Sequence, residues 1–259
     1  MAKIYGNIFT LWVPQGPVVV LQGFQAVKEG LTVHAEDVAG RPTGGVMFSN
    51  GHLWKQQRRF GLATMRKMGV GKKTQEYQLQ EEACHLVEYL QKTNEKVQKE
   101  LDAVLGCSHV FCYEDRKKLP YTNAVVHEIQ RYSNIILIAL PRLSLKDTEL
   151  LGYHVPKVQM CYSVLSDPGK WETPDQFNPG HFLDKDGNFV NREAFLPFAI
   201  GQRVCMGELL ARMELFIVFS TLLQAFTFTL PEGVKEVNTK FVFGSTMKPP
   251  PYQICAIPR

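Results

Sequence analysis

The sequence predicts a mainly α chain carrying small β elements, an α+β fold class. Three observations point there. Apolar residues recur at helical spacing in several segments, most strongly over Gly207–Phe226. The β-prone runs are short and stand between turn residues. Hydrophobic residues make up 45% of 259, with sixteen Phe, so a sizeable Phe-rich core can be buried.

The elements follow in order. Ile8–Val13 and Val18–Leu21 are β-prone, and Pro14-Gln15-Gly16-Pro17 between them supplies a turn, which predicts a hairpin. Gln25–Leu31 reads as a short helix ending near Gly30. Arg41 to Gly51 is rich in Gly and Pro and reads as loop. His52 to Met68 reads as a basic helix, with Trp54 and Arg58 four residues apart on one face. Gln75–Gln91 and Glu95–Leu105 repeat the helical pattern, the latter through Val97, Leu101, Val104 and Leu105 before Gly106. Pro120 suits the first turn of a helix running to Tyr132. Thr148–Val155, with Gly152 inside it, predicts a second hairpin, and Trp171 to Phe198 reads as mostly irregular. Gly207–Phe226 is apolar on several faces and should be buried. Short strands are expected around Phe241–Phe243 and Tyr252–Ile257.

Composition narrows the function classes. A net charge of +4 is too mild for a nucleic-acid binder. The six cysteines (Cys84, Cys107, Cys112, Cys161, Cys205 and Cys255) form no Cys-x-x-Cys pair. Their spacing suits neither a zinc site nor a disulfide framework, and reduced thiols facing the cytosol are expected. The longest apolar runs, Ile135–Leu140 and Leu215–Phe219, fall far short of a membrane span. No signal peptide is apparent at Met1-Ala2-Lys3-Ile4-Tyr5.

One segment concentrates chemistry: Phe198-Ala-Ile-Gly201-Gln-Arg203-Val-Cys205-Met-Gly207. A cysteine just before a helix N-terminus is placed to persist as a thiolate. Flanking glycines let backbone approach a planar cofactor closely. A nearby Arg can hold a carboxylate by charge-assisted hydrogen bonds, and an aromatic ring can shield sulfur from water. This pattern resembles the heme-binding loop of the cytochrome P450 superfamily, Phe-x-x-Gly-x-Arg-x-Cys-x-Gly, at all five fixed positions.

The resemblance extends along the chain. Glu128-Ile-Gln-Arg131 is similar to the family's Glu-x-x-Arg helix, whose pair locks onto a Phe-x-Pro-x-x-Phe-like segment. Here that segment is Phe177-Asn-Pro179-Gly-His181-Phe182, with His181 where many members carry Arg, so a weaker or pH-sensitive lock is expected. Trp54-x-x-x-Arg58 resembles a helix that sends Trp and Arg to a heme propionate, and Arg142 resembles another propionate contact. The alternative for Arg58 and Arg142 is an ordinary solvated arginine. The cluster Lys55, Arg58, Arg59, Arg66, Lys67, Lys72 and Lys73 is read either as a docking face for an acidic reductase or as a solvated helix face.

Phrases such as Leu119-Pro-Tyr-Thr-Asn-Ala-Val and Asp175-Gln-Phe-Asn-Pro-Gly-His-Phe resemble microsomal family 2, close to subfamily J. The resemblance implies one truncated heme-thiolate oxygenase domain over 1–259, with hairpin and helices in 1–94 and the helical core and heme loop in 95–259. It implies heme b ligated by Cys205 and held by Arg203, Phe198, Gly201, Gly207, Trp54, Arg58 and Arg142, with Glu128, Arg131 and His181 as a structural lock. It also implies NADPH–cytochrome P450 reductase and cytochrome b5 as partners, a lipophilic substrate, and the cytosolic face of the endoplasmic reticulum membrane, with peripheral membrane contact.

Against the family, Asn94 runs straight into Glu95, where a long helical block would stand. The acid-Thr motif of the distal oxygen-activating helix is absent from the sequence, and no catalytic residue is assigned. Arg41 to Trp54 is short for the usual substrate-contacting loop, Pro156 to Asp167 is shortened in a strand near the substrate pocket, and a membrane anchor is lacking. The expected fold is therefore an incomplete version of the family's, lacking its central distal helices. Two functions remain open: monooxygenation of a lipophilic substrate, or a catalytically defective form that at most binds heme.

Overall fold

The computed structural model describes residues 2–14, 16–41, 45–67, 94–106, 109–133, 140–234 and 251–259. The chain divides into two compact units, each assembled from separated stretches. The first comprises Met1–Met65, Ile136–Gln176 and Glu193–Met206; the second comprises Arg66–Ile135, Phe177–Arg192 and Gly207–Arg259.

In the first unit, helix α1 (Ala2–Tyr5) precedes strands β1 (Ile8–Val13) and β2 (Gly16–Gln22). They form the expected hairpin, closing with Val13 opposite Gly16. Helix α2 (Phe24–Lys28) continues into a π turn over Glu29–Val33. It starts one residue earlier than its apolar spacing suggested and does not stop at Gly30. A Cβ at Gly30 would lie 2.9 Å from Leu21 Cδ1, so the glycine serves close packing against β2 rather than termination. The segment expected as loop from Arg41 to Gly51 carries a short helix, α3 (Gly45–Phe48). Its Pro and Gly sit toward the two ends, leaving Val46-Met47-Phe48 free to form one turn.

Helix α4 (Gly51–Lys67) follows, with Trp54 its one buried residue. Next come strands β3 (Arg142–Leu143), β4 (Thr148–Leu150), β5 (Tyr153–Val155) and β6 (Gln159–Ser163). β6 runs parallel to β2 and antiparallel to β3, giving the sheet order β1-β2-β6-β3. β4 and β5 form the second hairpin. Gly40 bridges to Leu143, which ties the residues before α3 to the edge strand β3.

The second unit is built on helices α5 (Asn94–Val104), α6 (Pro120–Tyr132) and α7 (Glu208–Ala225), with strands β7 (Phe226–Thr229) and β8 (Cys255–Pro258) paired antiparallel. Its core gathers Val97 and Leu101 of α5, Val125 and Val126 of α6, and Phe216, Ile217, Phe219 and Leu223 of α7. The C-terminal half of α7 is buried on several faces, as its apolar run requires.

Tertiary contacts complete the helix ends. The N-cap of α6, Leu119, makes no side-chain cap, and the first N–H is missing at Pro120. Glu100 of α5 takes over, accepting from Tyr121 N at 2.9 Å and from Thr122 N and Oγ1 at 2.7 and 2.6 Å. Gln98, also on α5, donates to the carbonyls of Leu223 and Phe226 at the end of α7, at 3.1 and 3.0 Å. The helix expected over Gln75–Gln91 and the strand expected at Phe241–Phe243 lie outside the described residues. No described helix is long and apolar enough to cross a membrane.

Candidate cofactor site

The cysteine loop lies in the first unit up to Met206. Ala199 and Gly201 both take positive φ, at 67° and 79°, and Gly201–Arg203 forms a 3-10 turn. Val204 N donates to Gly201 O at 3.0 Å, and Cys205 N donates to Phe198 O at 3.0 Å, closing the loop on itself. A Cβ at Gly201 would lie 2.0 Å from the carbonyl oxygen of Leu31. Gly201 thus meets the backbone of the π turn, and that contact by itself requires glycine. The Cys205 side chain is exposed, and Phe198 is half-buried. Gly207, in the second unit, is the N-cap of α7 and accepts from Ala211 N at 2.9 Å. The other described free thiols are Cys112 and Cys255; burial pushes the Cys112 thiol up, which disfavours its thiolate.

Around this loop the first unit gathers the predicted arginines. Arg203 is buried. Its Nε donates to Ala39 O and its Nη2 to Ser49 O, both at 2.8 Å, with Asn50 Oδ1 at 3.2 Å from Nη2. Its guanidinium lies 3.9 Å from the centre of the Trp54 ring. The remaining nitrogen, Nη1, is buried and has no hydrogen-bond partner among the described residues. Burial, then the charges of Arg142 and Arg58, push the Arg203 guanidinium down to about 10.

Arg58, one turn beyond Trp54 on α4, lies 5.7 Å from that ring and donates from Nη1 to Val204 O at 2.9 Å. Burial lowers its pKa and the nearby Cys205 opposes the shift, which places Arg58 within electrostatic reach of the sulfur. Arg142 is 1% exposed, which removes the solvated-arginine alternative for it. Its Nη2 lies 3.4 Å from Ile200 O. Trp54, Arg58, Arg142, Phe198, Gly201, Arg203 and Cys205 thus all belong to one unit. Two partners were not visible in the motif. Asn50 and Arg41 exchange a pair of backbone–side-chain bonds, and the buried Arg41 also donates to the carbonyls of Leu140 and Pro141.

The lock residues meet in the second unit. Glu128 and Arg131, both with fully buried side chains, form a two-bond pair at 2.7 and 2.8 Å. Glu128 Oε1 also accepts from Asn178 N at 2.8 Å. His181 Nδ1 lies 3.2 Å from both carboxylate oxygens, the position the sequence assigned to it.

Comparison with known proteins identifies the family. The cytochrome P450 family model matches residues 1–96 and 91–256, two stretches that meet at the Asn94–Glu95 junction. The chain belongs to the cytochrome P450 family. It is 51% identical over 170 residues to Cytochrome P450 2K6 of Danio rerio, covering 63% of this chain and 34% of that protein. It is 49% identical over 169 residues to Cytochrome P450 2J2 of Homo sapiens, covering 64% of this chain and 33% of that protein. With Cytochrome P450 2C8 of Homo sapiens the identity is 28% over an alignment 432 positions long, gaps included, covering 99% of this chain and 88% of that protein. These relatives place the chain with family 2. The stretch matched spans about a third of the length of the first of these relatives. The family's cofactor is heme with a thiolate-ligated iron. The residues present fit it: an exposed thiol, a buried guanidinium nitrogen with no partner among the described residues, and like charges around it that call for an anion such as a propionate.

Proposed function

We propose that this chain binds heme, that Cys205 would supply the thiolate ligand of its iron, and that the encoded activity is monooxygenation of a lipophilic substrate. The observation that carries the reading is Arg203 Nη1, buried without a partner among the described residues, in the same unit as Arg58, Arg142 and the Cys205 thiol. Heme bound there supplies an iron at which dioxygen is split, one atom entering a substrate C–H bond and the other leaving as water with two electrons and two protons.

The chain's own residues supply the proximal support. The Cys205 sulfur, as thiolate, carries negative charge to the metal, with Arg58 within electrostatic reach. Arg203, Arg58 and Arg142 hold the two propionates, and the Trp54 ring fixes the Arg203 guanidinium. Phe198 and Gly201 shape the loop, with Cys205 N closed onto Phe198 O, and Gly207 starts the following helix. The Glu128–Arg131–His181 lock stiffens the second unit and takes no part in chemistry. Electrons come from NADPH through NADPH–cytochrome P450 reductase, with cytochrome b5 as a second donor, docking on the basic side chains of α4. The substrates are fatty acids such as arachidonate, or xenobiotics. The location is the cytosolic face of the endoplasmic reticulum membrane, with peripheral contact. The family 2 relatives support both readings.

A second reading is favoured by the break in the family match at residues 91–96 and by a sequence without an acid-Thr motif. In it the chain at most binds heme and does not turn over, because the sequence lacks the acid-Thr motif by which the resemblance would deliver protons. A reduced, carbon-monoxide-bound difference spectrum of the heme-supplied chain tests what the readings share. A strongly red-shifted Soret band that Cys205→Ala abolishes is expected, and no Soret feature would sink both. Product formed with NADPH and reductase then selects the enzyme, and peroxide alone selects the second reading.

A further inference from the structure

Arg203 makes its three hydrogen bonds to two chain segments, Ala39 on one side and Ser49 and Asn50 on the other. The side chain of Asn50 ties those segments together. Its Oδ1 accepts from Arg41 N at 2.8 Å, and its Nδ2 donates to Arg41 O at 2.8 Å. The two bonds copy a strand pairing, with a side-chain amide standing in for one backbone. Both of its Oδ1 neighbours are donors, which fixes the orientation of the amide. The spacing of all three acceptors of Arg203 therefore depends on one side chain. Asn50 also stands at the root of α4: Trp54 N donates to its carbonyl at 3.3 Å, and the Trp54 ring lies against the same guanidinium.

We propose that Asn50 is a positioning residue that holds Arg203 so that its unpartnered Nη1 faces a heme propionate. The proposal rests on the heme reading above. Asn50 touches neither cofactor nor substrate; it acts through Arg203. With Nε and Nη2 both engaged, the fork has one orientation, and Nη1 is the donor left for an anion. Loss of Asn50 uncouples the two segments and lets the guanidinium turn, so the propionate loses a fixed, charge-assisted bond.

The test is titration of the full-length chain with hemin and, separately, with hemin dimethyl ester, whose propionates carry no charge, followed by the Soret band. Asn50→Ala should bind hemin about tenfold more weakly than the parent chain and bind the ester equally well. Asn50→Asp keeps the acceptor but places a carboxylate against Arg203. It should weaken hemin binding more than Asn50→Ala does, again leaving the ester unaffected. A scaffolding role predicts the reverse: Asp milder than Ala, and equal losses for both ligands. Equal losses, or unchanged hemin affinity in both variants, overturn the proposal while leaving the heme reading intact. Failure of the parent chain to bind hemin overturns both. Binding of the ester by each variant shows that its seat is folded.

Discussion

Single residues set the strictest conditions on the loop. Gly201 combines a left-handed backbone with a carbonyl 2.0 Å from where a Cβ would stand, and that neighbour is main chain and cannot swing away. Gly201→Ala should therefore destabilise the chain by about 3 kcal/mol or more. Denaturant unfolding would show it, and a change under 1 kcal/mol would mean that the π turn gives way. His127 sets a different condition. It is packed 5.5 and 4.7 Å from the rings of Phe182 and Phe189, its Nδ1 lies 2.8 Å from Asn123 O, and its Nε2 lies 3.2 Å from Arg212 Nη1. Burial first, then Arg212 and Arg116 against the opposing Asn123 carbonyl, push it down to about 4. Neutral His127 donates through Nδ1 and accepts from Arg212. Its folded pKa lies below the unfolded value, so as pH falls from about 6.5 toward 4 the unfolded chain takes up a proton that the folded chain refuses. Stability is full above that window and falls through it. Urea midpoints measured from pH 7 to 4 should decline less steeply in His127→Gln than in the parent chain; equal slopes would assign the acid sensitivity to other groups.

Secondary-structure elements were legible where periodicity or turn chemistry acts locally. Both hairpins, α4, α5, α6, α7 and the last strand lie where the sequence placed them, within a residue or a few. The departures have a common cause. Gly30 reads as a stop because glycine often ends helices, yet here it is buried against Leu21 and the chain passes through it. The caps of α6 and α7 were invisible because Glu100 and Gln98 reach them from another helix. No local rule finds a cap supplied from 22 or 125 residues away. Gln98→Leu should accordingly cost about 1–2 kcal/mol, since it removes both hydrogen bonds of the amide at the end of α7 and leaves Leu223 O with Arg259 Nη1 at 3.1 Å. A thermal shift series comparing Gln98→Leu with an exposed control on the same helix, Lys99→Leu, measures it; equal melting temperatures would show that solvent replaces the amide. The site followed the same division. Cys205, Arg203 and the grouping of Glu128, Arg131 and His181 were candidates in the sequence because fixed spacing carries them. Asn50 and Arg41 were not, because their roles arise only where two distant segments meet.

At the scale of the whole molecule, Cys205 stands with Arg58, Arg142 and Arg203 in one unit, and Glu128, Arg131 and His181 stand in the other. Exposed Trp12, Phe60 and Val33 are apolar surface of the kind that limits solubility. The resident guanidinium explains why the apoprotein and the loaded protein should differ in stability: a buried cation beside like charges is unfavourable until an anion arrives.

The three acceptors that seat Arg203 lie 153 to 164 residues upstream of it. That separation has a consequence in time. During synthesis the first unit waits, incomplete, while the stretch between Met65 and Ile136 and then Phe177–Arg192 emerge and begin building the second. The arginine must then close a long loop before its pocket exists. The seat of Arg203 is thus among the later parts of the first unit to form, and Cys205 stands exposed beside it.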